Sequence, residues 1–319
     1  MRLDVVALGE LLIDFTYNGM SGQGNPLMEA NPGGAPGNVL AMLTRLGKKT
    51  DFIGKIGKDM FGTQLTNALK AVGVGVQGLK TDYEINTTLA FVHTKEDGDR
   101  EFSFYRNPGA DMMLCEKDLE EELLKNCTIF HFGSLSMTHD NCKKATMKAI
   151  RIAKESGAIL SFDPNLREPL WKSLNEAKEC IAYGMTQCDI LKISDNEIVW
   201  FTGEEDYERG IRKIQEEYKI PLILLSMGKE GSRAYCGEAK VEVPAVLQEG
   251  TIETTGAGDT FGACVLNYVL EHGWKEYKED ELREMLQFAN AAASIVTTRK
   301  GALAVMPARE EVEELLKRL

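Results

Sequence analysis

DFIGKIGKDMFGTQLTNALKAVG, residues 51–73, sets an apolar run directly before an amphipathic one. DFIGKIG reads as a buried strand. FGTQLTNALKAVG reads as a helix ending at Gly73, where a residue without a Cβ can take the left-handed cap conformation. The same alternation runs outward in both directions. Upstream, VLAMLTRLG (39–47) is a helix with Val39, Met42, Leu43 and Leu46 on one side and Gly47 as its stop. VVALGELLIDF (5–15) reads as one buried strand. Downstream, TIFHFGSLS (128–136), AILSFDPNLR (158–167), CDILKIS (188–194) and PLILLSMG (221–228) read as strands. Helices NCKKATMKAIRIAKESG (141–157) and NEAKECIAYGMTQ (175–187) lie between them. Such alternation specifies an α/β fold: a central, mostly parallel sheet flanked by helices, with ligands beyond the carboxyl ends of its strands.

Two stretches break the rhythm. Residues 15–33 are rich in Gly and Asn, and residues 88–106 alternate as a hairpin around EDGD (96–99). They predict a small β-sheet lid, from about 15–33 and 88–110, inserted into a single domain spanning 1–319.

Bulk properties narrow the function. A net charge of −12 argues against nucleic acid or an anionic membrane as the partner. The N-terminal apolar run is too short to span a bilayer and lacks the basic head of a signal peptide. Seven scattered cysteines without a CxxC pair indicate neither a zinc site nor a disulfide framework, so a reduced cytoplasmic protein is expected.

GVGVQG (73–78) matches the dinucleotide pattern GxGxxG, but it follows a helix and opens none, so it reads as a turn. TTGAGDTFGA (254–263) is different. From Phe261 the apolar spacing is helical, so Gly256, Ala257 and Gly258 form the turn into a helix N-terminus. Free N–H groups and a positive dipole end collect there, and small residues let an anion approach. Asp259 at that mouth would take a proton from a hydroxyl as phosphate charge develops nearby, or it merely caps its helix. GGAPGN (33–38) also enters a helix and offers the amide of Asn38. Asp14 ends a buried strand, where an acid is costly unless paired or exposed in a cleft. SFDPNLR (161–167) sets Asp163, Asn165 and Arg167 after a strand, and SMGKEG (226–231) is a glycine-bearing loop after another. The four histidines lack metal-ligand spacing.

These residues carry a resemblance. GGAPGNVLAMLTRLG, IGKIGKDMFG and TTGAGDTFGA are similar to the signatures of the ribokinase-like, or phosphofructokinase-B type, carbohydrate kinases, and the match runs nearly end to end. AFVHTKEDGDREFSFYRNPGADMML, SFDPNLREPLW and KISDNEIVWFTG resemble the bacterial fructokinases. The resemblance implies an ATP-dependent kinase converting D-fructose to its 6-phosphate. Asp259 would be the general base, and the backbone of Gly256, Ala257 and Gly258 the anion hole. Asp14, Gly33, Gly34, Asn38 and Asn165 would hold the sugar, and Arg106 and Arg167 would reach the sugar or phosphate side. Lys192 and Glu197 would lie near the phosphates and Mg2+. Ser226, Gly228 and Gly231 would line the nucleotide, with Asn290 near the adenine. The family's lid covers the sugar and often pairs two subunits, so a homodimer is implied. Two positions depart from the pattern. Glu253 stands where relatives carry Asp and, with TTRKGA (297–302), help hold K+. Ser194-x-x-Glu197 replaces the common Asn-x-x-Glu.

Two other readings stay open. A kinase of the same type could act on another sugar, above all 2-keto-3-deoxygluconate, where Arg106 and Arg167 would meet the sugar acid's carboxylate. A non-catalytic sugar-binding protein would keep the fold without the chemistry.

Overall fold

The computed structural model of the chain describes residues 2–94, 100–301 and 303–319. The expected turn EDGD (96–99) and Ala302 of TTRKGA lie outside the described residues. Strand β1 (Leu3–Leu8) is followed by β2 (Leu12–Met20) and β3 (Pro26–Gly33). Helix α1 (Ala35–Arg45), β4 (Thr50–Gly57), α2 (Met60–Ala71) and β5 (Leu79–Asp82) come next, then β6 (Leu89–Thr94) and β7 (Arg100–Tyr105). The chain continues through α3 (Glu121–Lys125), β8 (Cys127–Gly133), α4 (Asp140–Glu155), β9 (Ile159–Asp163), α5 (Leu174–Gln187) and β10 (Ile190–Ser194). After α6 (Asp195–Thr202) and α7 (Tyr207–Tyr218) come β11 (Leu222–Ser226), β12 (Ser232–Cys236) and β13 (Ala239–Val243). Three helices close the chain: α8 (Ala257–His272), α9 (Glu279–Val296) and α10 (Arg309–Leu316).

Nine strands form one sheet in the order β13-β12-β11-β10-β9-β8-β1-β4-β5. It is parallel from β11 to β5, and only β12 and β13 run antiparallel. Successive side chains of a strand point to opposite faces. Val5 and Ala7 therefore join one apolar layer with α1, α8 and α9, while Val6 and Leu8 join the other with α4 and α5. Burial on both faces explains the nearly continuous apolar runs of these strands.

A second sheet has the order β3-β2-β6-β7. It begins at Leu12, earlier than the sequence indicates, because VVALGELLIDF is not one strand. β1 ends at Leu8, and β2 opens four residues later in the other sheet. Both pieces are buried, so hydrophobicity does not mark the break. Gly9 does: a Cβ there would collide with the ring of Pro36 in α1. In the small sheet Asp14, Thr16, Val92 and Phe104 face a cavity, while Phe15 and Phe91 stack on the other side at 4.8 Å.

GVGVQG behaves as a turn. Gly73 has φ 85° after α2, and the N–H of Gly78 donates to Asp51 Oδ1 at 3.1 Å. Among the described residues no helix is long and apolar enough to cross a membrane.

Candidate active site

Helix α8 starts without a side-chain cap. Gly256 occupies the N-cap position with φ 78°, a left-handed conformation that favours glycine. The N–H groups of Gly258 and Asp259 then lie in the first turn, where no intrahelical acceptor exists. Asp259 does not cap its own helix. Its Oδ2 accepts instead from Asn38 Nδ2 of α1 at 2.8 Å. Burial pushes the carboxyl up to about 6, opposed by the Asn38 hydrogen bond, and Asp163 raises it while Lys192 and Arg167 lower it. Asn38 is itself buried, and its Oδ1 has no partner among the described residues. A buried acceptor left open beside a cavity suits a ligand hydroxyl.

The carboxyl ends of β9 and β10 form the floor. Asp163 ends β9, and its Oδ2 takes the ammonium of Lys192 at 2.8 Å. Lys192 lies on β10, its charged form favoured by Asp163 and Glu197 against the burial that opposes it. A Cβ built on Gly258 would stand 3.2 Å from Lys192 Nζ, so the ammonium rests against the first turn of α8. Ser194 ends β10 and caps α6, whose Glu197 answers as in a capping box. The Glu197 carboxylate accepts from Ser194 N–H and from Leu166 N–H, both at 2.8 Å. The Ser194 hydroxyl thus caps the helix while Glu197 still lines the cavity. Asn165 takes φ 44°, and its N–H donates to Asp163 Oδ1 at 3.2 Å. That turn carries Arg167 to the cavity rim.

Asp14 on β2 closes the opposite wall. Burial pushes its carboxyl up to about 7, Arg167 lowers it, and Glu253 and Asp259 raise it. Gly33 leaves room for this side chain, because a Cβ there would strike the Asp14 carboxylate. Gly34, with φ 123°, passes so close to the backbone of Glu10 that a Cβ would strike its carbonyl. Arg106, expected to reach the sugar or phosphate side, is engaged within the protein. Its guanidinium is buried, donating to Asp111 Oδ2 and Thr138 Oγ1, each at 2.8 Å, and to the Leu135 carbonyl at 3.1 Å. It does not line the cavity; Leu135 does.

This cavity, about 410 Å³, holds Asp14, Gly34, Asn38, Asn165, Arg167, Lys192, Glu197, Glu253, Gly256, Gly258 and Asp259. A neighbouring cavity of about 690 Å³ is lined by Ser226, Gly228, Gly231, Ala257 and Asn290, with apolar Val246 and Phe261. The two share Ser226, Thr254 and Gly258, so they join at the mouth of α8. SMGKEG forms the turn between antiparallel β11 and β12 and also a wall of the second cavity. The Asn290 amide is spent on the protein, joining Ser232 Oγ at 2.9 Å and the Pro244 carbonyl at 3.2 Å. Glu253 accepts from Gly301 N–H at 3.3 Å, and its own N–H meets the Thr297 carbonyl at 3.1 Å. Residue 253 thus rests against the 297–301 segment.

Sequence reading missed Glu10, Thr16 and Phe104 as cavity residues. Glu10 left a signal, an acid inside an apolar run, which is costly unless it has a purpose.

The family profile described as pfkB family carbohydrate kinase matches residues 2–309. The chain is 43% identical over 315 residues to "Probable fructokinase-6, chloroplastic" of Arabidopsis thaliana, covering 98% of this chain and 82% of that protein. Among solved structures, fructokinase from Xylella fastidiosa with bound ATP superposes with a TM-score of 0.90 at 28% identity, covering 100% and 99% of the two chains. Fructokinase from Vibrio cholerae O395, bound to fructose, ADP and calcium, superposes with a TM-score of 0.88 at 28% identity, covering 98% and 99%.

Proposed function

The chain belongs to the pfkB family of carbohydrate kinases, and from that premise we propose that it phosphorylates D-fructose with ATP, giving D-fructose 6-phosphate and ADP. One observation carries the reading. Two cavities join at Gly258, with Asp259 on the acid-lined side and a glycine-lined loop on the other.

The chemistry follows from that junction. The 6-hydroxyl oxygen attacks the γ-phosphorus while its proton passes to Asp259. The bond from the γ-phosphorus to the bridging oxygen breaks, and ADP leaves with that electron pair. A base with a pKa of about 6 is ionised at neutral pH and still basic enough to take the proton. Charge on the transferring phosphoryl oxygens meets the first-turn N–H groups of α8 and the Lys192 ammonium, both fixed before reaction. Asp163 holds that ammonium in place. Mg2+ bound with the nucleotide would neutralise phosphate charge. Glu197 would help hold it, since its carboxylate keeps lone pairs beyond the hydrogen bonds it accepts. Contact between Glu253 and the 297–301 segment brings together the stretches that would hold K+ through oxygen atoms.

The sugar side favours a neutral polyol. Asp14, Asp259 and the open Oδ1 of Asn38 are acceptors for hydroxyl donors. A sugar acid would bring its carboxylate against Asp14 and Asp259, and of the two arginines only Arg167 lines the cavity, Arg106 being committed to Asp111. The small sheet acts as a lid, with Asp14, Thr16, Val92 and Phe104 turned to the sugar. Closure excludes water and protects ATP from hydrolysis. Exposed Tyr17 and Met28, opposite each other on β2 and β3, are offered to a second copy in a homodimer. Seven free cysteines suit the reducing cytoplasm.

The test is ADP release from a panel of sugars and sugar acids with ATP and magnesium, with and without potassium, and with the product identified by NMR. Fructose should lead the panel and yield the 6-phosphate. Turnover of 2-keto-3-deoxygluconate alone would replace the fructose reading. No turnover with any acceptor would leave a sugar-binding protein.

A further inference from the structure

Glu10 stands between β1 and β2, where the chain leaves the core sheet for the small one. Its side chain is buried and lines the acid-rich cavity. Its Oε1 accepts the N–H of Ala35, the first residue of α1, at 2.9 Å. Its carbonyl lies hard against Gly34, the N-cap of the same helix. Backbone and side chain of one residue thus grip the start of α1 from two sides. Asn38 sits in that first turn and reaches Asp259 Oδ2 at 2.8 Å.

We infer that Glu10 is a positioning residue for the proton acceptor: by holding the Ala35 N–H it sets the first turn of α1, and so aims Asn38 at Asp259. The inference rests on the kinase reading for its effect on turnover, but its effect on Asp259 itself does not. A hydrogen bond donated to an ionised carboxylate favours the charged form. When Asn38 loses its aim, the Asp259 carboxyl must titrate at higher pH. Burial also pushes Glu10 up, to about 7, eased by its own backbone and by Ala35. Arg106 and Asp111 are the charges that face it. Asp259 is faced by Asp163, Lys192, Arg167 and Asp14.

Three variants of the full chain separate positioning from mere support. Glu10→Ala removes the acceptor, Glu10→Gln keeps a carbonyl acceptor without charge, and Ala35→Pro removes the donor at a helix position that tolerates proline. Two readouts are taken. One is the pH profile of kcat/KM with the preferred sugar. The other is the titration of Asp259 by NMR of aspartate-labelled protein, assigned by the signal missing from Asp259→Asn. Glu10→Ala and Ala35→Pro should raise the NMR midpoint and the acid limb together, by about one pH unit. Their kcat should fall ~10–100-fold. Glu10→Gln should leave both midpoints in place. An unmoved Asp259 midpoint in Ala35→Pro or Glu10→Ala overturns the inference, whatever the loss of activity or melting temperature. So does a Glu10→Gln midpoint displaced as far as that of Glu10→Ala. If the wild type phosphorylates no sugar, the kinase reading fails and the NMR titration alone decides this one.

Discussion

Asp259 is the third residue of α8, a position from which an acid commonly serves its own helix. It is instead bonded across the molecule to Asn38, 221 positions away in sequence. That choice makes it a half-buried carboxylate with one oxygen committed and the other available to a hydroxyl. Replacing it by Asn keeps the shape and removes the proton acceptor. Turnover of Asp259→Asn should fall ~10²–10⁴-fold, while sugar affinity by calorimetry changes by only a few-fold. In the wild type kcat/KM should decline below about pH 6, as the base protonates. A flat profile down to pH 5 would remove Asp259 from that role. Its place at the helix mouth was readable in the sequence, because small residues crowd a lone acid at a helix entry. Arg106 was not readable in the same way. Its place depends on Asp111, Thr138 and Leu135, which only folding brings together.

Among the elements, the mouth of α8 carries the sharpest prediction. Gly258 has ordinary helical backbone, so alanine there should favour the helix by up to about 1 kcal/mol. The new methyl would nevertheless press on Lys192 Nζ, the movable end of a long side chain. Gly258→Ala should therefore melt at an unchanged or slightly higher temperature, yet turn over at least ~10-fold more slowly. A variant losing stability in step with activity would contradict this account. Gly34 differs in kind, since its φ of 123° and its contact with the Glu10 carbonyl both exclude a side chain. The strands show where pattern reading stops. β8, β9, β10 and β11 are legible as apolar runs buried on both faces. The change of sheet between Leu8 and Leu12 is not, because a strand entering a second buried position keeps the same hydrophobicity.

For the molecule as a whole, three carboxyls at the cavity, Glu10 buried and Asp14 and Asp259 half-buried, set a pH dependence of stability through their loss of water. Glu10 rises from 4.5 to about 7, Asp14 from 3.8 to about 7, and Asp259 from 3.8 to about 6, each chiefly through burial. The folded state then holds protons that the unfolded chain has already released. Their contribution is complete below about pH 4 and is lost as pH rises through 6 and 7. The ligand-free protein should melt at a higher temperature at pH 5 than at pH 8, and Asp14→Asn should flatten that slope. Melting that rises from pH 5 to pH 8 would contradict it. The small sheet makes a separate prediction. Charged residues at Tyr17 and Met28, 55% and 37% exposed, should split the proposed homodimer in sedimentation and leave the melting temperature of the fold nearly unchanged. A wild type that sediments as a monomer would end that proposal.

The sequence by itself determined the layered α/β architecture, the strand ends where a ligand would lie and the glycine-flanked acid of α8. These depend on periodic burial and local backbone freedom, which neighbouring residues encode. Only the tertiary structure decided that Asn38 meets Asp259, that Lys192 leans on Gly258, that Arg106 turns inward and that Glu10 grips α1. Each of those is a side-chain pairing across elements, and a pairing exists only once packing has set distance, burial and charge together.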